Sequence, residues 1–339
     1  MDEKEPFVSV VTPVYNGEQY LSECIESVLA QTYMNWEYII INNCSTDSTP
    51  DIAQEYTHRD ARIRLYHNET LLEMIPNWNH ALRQISDHSK YCKVIHADDW
   101  LFPDCLTQMV RTAEAYPNVG LVGSYDLDGN WVRLDGLPYP SHCVPGRELC
   151  RSYFFYNSNL GGIRVFGSPS CLLIRSEQIQ KREKFYNESN FNADSEACCN
   201  VLQDTDFGFV HQILTYTRNH EDRQTSFVNR YNTTILNNIR NLINYGPMYL
   251  NELEYSICYK KIINQYYFFL GKNLVINKEE NFWNYHYDQT ISMGIKLNSF
   301  RIKWFLFIEI LRLVLSPIEL YKKISDKLHM KLNKCNKSA

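Results

Sequence analysis

The sequence predicts an α/β fold: a mostly parallel, doubly wound sheet flanked by helices, with a helical C-terminal extension. Three observations predict it. Between residues 7 and 116, short apolar runs alternate with amphipathic stretches of helical period, the pattern of a parallel sheet joined by right-handed crossovers. The largely apolar run Tyr91–His96 ends in adjacent carboxylates, Asp98 and Asp99, and then Pro103, as a buried strand does where it opens into a loop. Beyond about Phe227 long helical stretches take over.

Phe7–Pro13 is the first strand, and Val14-Tyr15-Asn16-Gly17 breaks it into a loop. From Glu18 to Gln31, Leu21, Cys24, Ile25, Val28 and Leu29 mark one face of a helix. Trp36–Ile41 is the second strand; the polar loop Asn42-Asn43-Cys44-Ser45-Thr46-Asp47-Ser48-Thr49 leads through Pro50 into a second helix. Arg62–His67 is a strand, Asn77–Ile85 a helix, Tyr91–His96 a strand and 103–116 a helix. If the strands are parallel, Tyr15, Asn43 and Asp98 lie on one edge of the sheet, where nucleotides bind in open α/β folds. Neither Gly-x-Gly-x-x-Gly nor Gly-x-x-x-x-Gly-Lys occurs, which disfavours a dinucleotide oxidoreductase and a phosphate-loop NTPase.

Val119–Tyr125 is a further strand, followed by a Gly- and Pro-rich loop (126–145) and by Gly161-Gly162 and Phe166–Ser170, which lead to the strand Cys171–Arg175. Those glycines suit close approach to a ligand or an ordinary turn. Phe185–Gln203 contains Asp194 and Glu196; Glu196 reads as a first-turn acid that stabilises its helix, and Asp194 as a candidate for chemistry. Asp206–Thr217 is a hydrophobic strand closed by Arg218 and His220, on one face by alternation, either surface groups or partners of a pyrophosphate. Helices follow at 229–244 and 248–270, then an amphipathic stretch at 299–315, too short and too charged to span a bilayer comfortably. It fits an in-plane interfacial helix or one that docks on the α/β domain.

Asp98 and Asp99 allow two readings: a divalent cation held between them and a phosphate, or Asp98 capping the following helix with Asp99 solvated. The eleven cysteines are scattered, with no Cys-x-x-Cys pair, which favours reduced, buried thiols. No secretory signal is visible at the N-terminus. Net charge is -5, yet 301–339 carries nine Lys/Arg against three Asp/Glu, leaving 1–300 at -11. An acidic body argues against nucleic acid as a partner, and a basic tail fits an anionic membrane surface or solvated helix charges.

Val8-Ser-Val-Val-Thr-Pro-Val-Tyr-Asn16, Asn42–Thr49 and Ala97-Asp-Asp-Trp100 with Pro103, in this order and spacing, resemble the family 2 glycosyltransferases, inverting enzymes of the GT-A fold that use nucleotide sugars. The resemblance covers roughly 6–225. It implies a Rossmann-like GT-A catalytic domain at 1–225, with a nucleotide-sugar-binding half (6–125) and an acceptor-binding half (126–225), before a helical region at 226–339. It implies further that Pro13 and Tyr15 line the nucleobase pocket, Asn43 contacts the base, Asp98 meets the ribose and Asp99 binds Mg²⁺ or Mn²⁺. Asp194 matches the general base, and Arg218 and His220 an Arg-x-His feature near the diphosphate. Two departures stand out: Asn42-Asn43 where the family commonly has two aspartates, and Asn77-Trp78 where relatives often carry Arg or Lys.

The function so implied is metal-assisted single displacement from a nucleotide-sugar donor, a UDP- or dTDP-sugar, to a glycan or lipid-linked glycan acceptor in cell-surface polysaccharide synthesis. The expected place is the cytoplasm, peripheral on the inner face of the membrane through 299–339. Transfer to a polyprenyl phosphate or a protein, and a catalytically silent nucleotide-binding subunit, are the alternatives.

Overall fold

The computed structural model describes residues 5–155, 164–190, 192–219, 231–277 and 279–315. The chain runs β1 (Val8–Val14), α1 (Leu21–Leu29), β2 (Trp36–Asn42), α2 (Thr49–Arg59), β3 (Ile63–His67), α3 (Met74–Leu82), β4 (Tyr91–Val94), β5 (Trp100–Leu101) and α4 (Cys105–Ala115). It continues through β6 (Val119–Asp128), β7 (Trp131–Arg133), β8 (Cys143–Pro145), α5 (Gly146–Phe154), β9 (Leu172–Arg175), α6 (Ser176–Gln180), α7 (Ala193–Val201) and β10 (Asp206–Thr217). Among the described residues four helices follow: α8 (Thr233–Tyr249), α9 (Glu252–Ile276), α10 (Glu280–Ser292) and α11 (Ser299–Leu315).

The sheet order is β3-β2-β1-β4-β9-β6-β10-β5, with β7 on β6 and β8 on β10. Strands β1, β2, β3 and β4 are parallel; β9 enters reversed between β4 and β6, and β6 and β10 are again parallel. Alternation in each buried strand sends side chains to two cores. Val8, Val10, Tyr38 and Ile40 pack under α1 and α4 with Leu21, Ile25, Leu106 and Met109; Val11, Ile39 and Ile41 pack with Ile75, Leu82 and the α7 residues Ala197 and Cys198. Each such aliphatic side chain contributes about 1.5–3 kcal/mol when fully buried.

Two departures from regularity place the site. Strand β10 shifts register at Val210/Ile213 and Ile213/Thr215, bulges that bend its end toward β5, where Tyr216 pairs with Trp100. Asp98 and Asp99 are thereby held in a short bend between β4 and β5.

The chain separates into two units, Met1–Ser226 with Asn241–Tyr255, and Phe227–Arg240 with Ser256–Ala339. The stretch 241–255 lies beyond the expected boundary at 225, yet it packs in the first unit through specific bonds. Asn241 Nδ2 donates to Ser195 Oγ at 3.1 Å, Tyr245 OH to Glu196 Oε1 at 3.3 Å and Tyr249 OH to the Cys199 carbonyl at 2.5 Å. These anchors carry α8 through Gly246 and Pro247, past the end expected at 244. In the second unit, His286 is buried between Tyr266 OH (3.0 Å) and the Tyr231 carbonyl (2.8 Å), and burial lowers its pKa to about 4.

Candidate active site

The loops after β1 and β2 are stitched together by short polar side chains. Asn16 sits in the left-handed region (φ 50°), which Asn tolerates better than most residues. Its N–H donates to Ser45 Oγ (2.9 Å) and its Oδ1 accepts from Thr46 N–H (2.8 Å). Gly17 N–H donates to Thr49 Oγ1 (2.8 Å) and Glu18 N–H to Asp47 Oδ2 (3.1 Å). Burial opposes ionisation of Asp47, but bonds from Thr49 and the Glu18 N–H prevail and hold its pKa below the ordinary value. The Ser-Thr-Asp-Ser-Thr run is therefore a clamp on the loop that carries Tyr15.

Pro13 is buried in β1 beside Ile41, whereas Tyr15 leaves the sheet half exposed. Asn43 is buried: its Oδ1 accepts from Asn68 Nδ2 (2.8 Å) and Leu72 N–H (2.9 Å), and its Nδ2 donates to the Leu72 carbonyl (2.9 Å). Asn42 Nδ2 lies 3.0 Å from His67 Nδ1, and its Oδ1 accepts from Ser45 N–H (3.1 Å). An aspartate at 43 could not donate to Leu72, so the amide has a structural reason. It fastens the 68–72 loop.

At the acidic tip, Asp99 N–H donates back to the His96 carbonyl (3.0 Å) and Asp99 is 2% exposed. His96 Nδ1 lies 3.8 Å from Asp99 Oδ2, and ligand atoms of His96, Asp98 and Asp99 all fall within 4.8 Å of one another. This donor set of one imidazole and two carboxylates fits a divalent cation. Arg218 N–H donates to Asp99 Oδ1 (3.2 Å) and its Nε to the Asp98 carbonyl (3.3 Å). Its guanidinium lies over Tyr20 (4.3 Å) and Trp100 (5.1 Å) and pairs with Glu23 (2.5 Å). The sequence leaves Arg218 either a surface group or a partner of a pyrophosphate; here its N–H fixes the rotamer of Asp99. His220 lies outside the described residues.

Asp194 begins α7, half-buried, with its Oδ1 accepting from Ser195 N–H (2.8 Å). Burial raises its pKa above the ordinary value, against the pull of that N–H and of the His96 and Arg133 charges. Its neighbour Glu196 is a buried anchor, accepting from Asn187, Asn190 (2.7 Å) and Tyr245. The first-turn role read for Glu196 is thus a hydrogen-bonded one.

Three residues of the site carry no functional signal in the sequence. His96 reads only as part of a strand; its ring stacks on Trp78 (4.9 Å), which meets Tyr186 edge-on (5.4 Å). Arg133 on β7 bonds Asp126 and pairs with Asp128 (3.3 Å), and Asp126, fully buried, also accepts from Thr215 (3.2 Å) and Thr217 (3.0 Å). A cation three residues past the turn Gly129-Asn130, on the strand opposite the acids at 126 and 128, is the available signal for that hairpin.

Residues 9–182 match the family described as Glycosyl transferase family 2. The Bacillus subtilis (strain 168) protein named as a glycosyltransferase, EpsE, is 32% identical over 225 residues, 62% of this chain and 78% of that protein. The crystal structure of S. aureus TarS 1-349 in complex with UDP-GlcNAc superposes with a TM-score of 0.60 at 14% identity, over 81% of this chain and 77% of that one. The mannosyltransferase PcManGT of Pyrobaculum calidifontis, in complex with GDP-Man and Mn²⁺, gives 0.54 at 13% identity over 89% and 84%. At such identities the structures show the shared GT-A fold alone. With half of its residues on the family pattern and a relative matched over most of that relative's length, the chain belongs to glycosyl transferase family 2 and is a glycosyltransferase.

Proposed function

We propose that the chain is an inverting glycosyltransferase that moves a sugar from a UDP- or dTDP-sugar to a glycan acceptor in cell-surface polysaccharide synthesis. One observation carries this reading: ligand atoms of His96, Asp98 and Asp99 lie within 4.8 Å of one another at the strand-end tip, a donor set suited to the cation of a nucleotide-sugar diphosphate. The TarS and PcManGT complexes support a nucleotide-sugar donor, and PcManGT supports Mn²⁺.

In this reading Pro13 and Tyr15 border the nucleobase, the remaining N–H of Asn43 faces it, and Asp98 meets the ribose. Asp99 holds Mg²⁺ or Mn²⁺, which when bound supplies positive charge to the leaving diphosphate. Arg218 keeps Asp99 in one rotamer, and its guanidinium turns to the diphosphate only by leaving Glu23. Asp194 takes the proton of the acceptor hydroxyl as its oxygen bonds the anomeric carbon and the carbon–diphosphate bond breaks, inverting the configuration. A raised pKa makes Asp194 a stronger base than a solvated aspartate. The test is ligand-induced thermal stabilisation by UDP and dTDP with Mn²⁺. A metal-dependent shift that vanishes in Asp99→Ala is expected; no shift with any nucleoside diphosphate sinks the reading.

Among the described residues no helix is long and apolar enough to cross a membrane. Helix α11 instead exposes Phe300, Trp304, Phe307, Ile308, Leu311 and Leu315, spaced for one face, with Arg301, Lys303 and Arg312 on the same helix. This supports a peripheral place on an anionic membrane surface and a lipid-linked acceptor. Flotation with phosphatidylglycerol vesicles checks it, and binding undiminished by Trp304→Ser with Phe307→Ser removes it.

A further inference from the structure

The imidazole of His96 belongs to the donor set at the acidic tip, yet the mechanism above gives it no role of its own. It stands just past the end of β4, with its Nδ1 3.8 Å from Asp99 Oδ2. Its backbone N–H donates to Ser170 Oγ (3.1 Å), and its ring is stacked on Trp78. Ser170 thus holds the backbone at His96, and Trp78 holds the ring. Six donors around a small divalent ion, at bonds of about 2.1 Å, stand about 3 Å apart when adjacent and about 4.2 Å apart when opposite. The 3.8 Å between His96 Nδ1 and Asp99 Oδ2 lies inside that interval, and the 4.8 Å span of all three groups exceeds it slightly.

From this geometry we infer that His96 is a ligand of the divalent cation, giving the site one nitrogen donor, and that the site selects Mn²⁺ over Mg²⁺. The inference rests on the donor-site reading above and deepens it. Magnesium prefers oxygen donors, whereas imidazole adds affinity along the series in which transition ions outrank it. A neutral ring also adds a ligand without a third negative charge beside Asp98 and Asp99. The aromatic face of Trp78 orients it, as neighbouring groups commonly orient metal-bound histidines.

The test is electron spin-echo spectroscopy of Mn²⁺ bound to the full chain with UDP, without any acceptor. Wild type is expected to show ¹⁴N modulation from one imidazole and a Mn²⁺ affinity at least about tenfold above that for Mg²⁺ by competition. His96→Asp keeps a ligand but exchanges nitrogen for oxygen: Mn²⁺ stays bound, the modulation disappears and the preference over Mg²⁺ narrows. His96→Phe keeps a ring on Trp78 and loses the ligand, with Mn²⁺ affinity down roughly ten- to a hundredfold. Mn²⁺ bound to wild type without modulation, or modulation that persists in both variants, overturns this inference alone. A wild-type chain that binds no Mn²⁺ with any nucleoside diphosphate overturns it together with the donor-site reading.

Discussion

The two halves of the central sheet solve the same problem by different means. On the β3-β2-β1-β4 side the strands are parallel and in regular register, and the loops at their ends are locked by side chains close in sequence to the strands, such as Ser45, Asp47 and Thr49. On the β9-β6-β10-β5 side a strand is reversed, β10 is bulged, and the polar groups meet across long separations, as Asp126 does with Thr215 and Thr217. The first half presents a rigid platform built from local motifs. The second aims single side chains at that platform, so its function depends on tertiary placement.

The sharpest way to break this comparison is to remove one acid from each half. Asp99→Ala is expected to abolish both the nucleotide-dependent thermal shift and transfer, whereas Asp194→Asn keeps the shift and lowers kcat by roughly 10²–10⁴. Equal loss of the shift in both variants would place Asp194 on the donor side. Next in size is Asp126→Ala, which leaves Arg133 and two threonine hydroxyls without their buried carboxylate; urea unfolding should show a loss of about 3–5 kcal/mol. A cost under about 1 kcal/mol would mean the hairpin is not held through that acid.

Asn43→Asp removes the donor to the Leu72 carbonyl and should cost about 1–3 kcal/mol, since one buried acceptor loses its partner. A neutral result would show that the 68–72 loop is held by other means. The two halves should also titrate oppositely. Asp47, lowered, contributes stability that is present above its unfolded pKa and lost as pH falls through the folded value; Asp194, raised, costs stability as pH rises from its unfolded value through the folded one. Carboxyl ¹³C shifts against pH check the order, and Asp47 titrating above Asp194 contradicts the contrast. Smallest is Lys93→Met at the junction of the halves. Lys93 is fully buried, and its Nζ donates to the Ser170 carbonyl (2.5 Å) and to Met109 Sδ (3.7 Å), so an isosteric apolar chain should change stability by less than about 1 kcal/mol or raise it. A loss above about 3 kcal/mol would show that the ammonium holds the Ser170 turn that in turn positions His96.

Much of the first half was legible because its signals are local. Apolar runs at period 2, a helical stripe from Leu21 to Leu29 and the polar run Asn42–Thr49 each specify an element from adjacent residues. Strands β7 and β8 hid in the Gly- and Pro-rich stretch 126–145, too short to show alternation. The place of β9 between β4 and β6 was also hidden, since strand order follows from packing of the helices around it. Helix α3 begins at Met74, ahead of the expected Asn77, because Ile75 completes the apolar face that meets the sheet.

The sequence by itself determined the α/β class, the acidic tip after the fourth strand and the family resemblance, because hydrophobic periodicity and strand-end chemistry are properties of neighbouring residues. It also singled out Asp194. Only the tertiary structure decided that Arg218 spends its charge on Glu23, 195 positions away, that Asn43 fastens Leu72, and that His96 turns toward Asp99. Those contacts join residues whose separation in the chain carries no periodic signal, and only the register of β10 and the packing beneath the sheet bring them within reach.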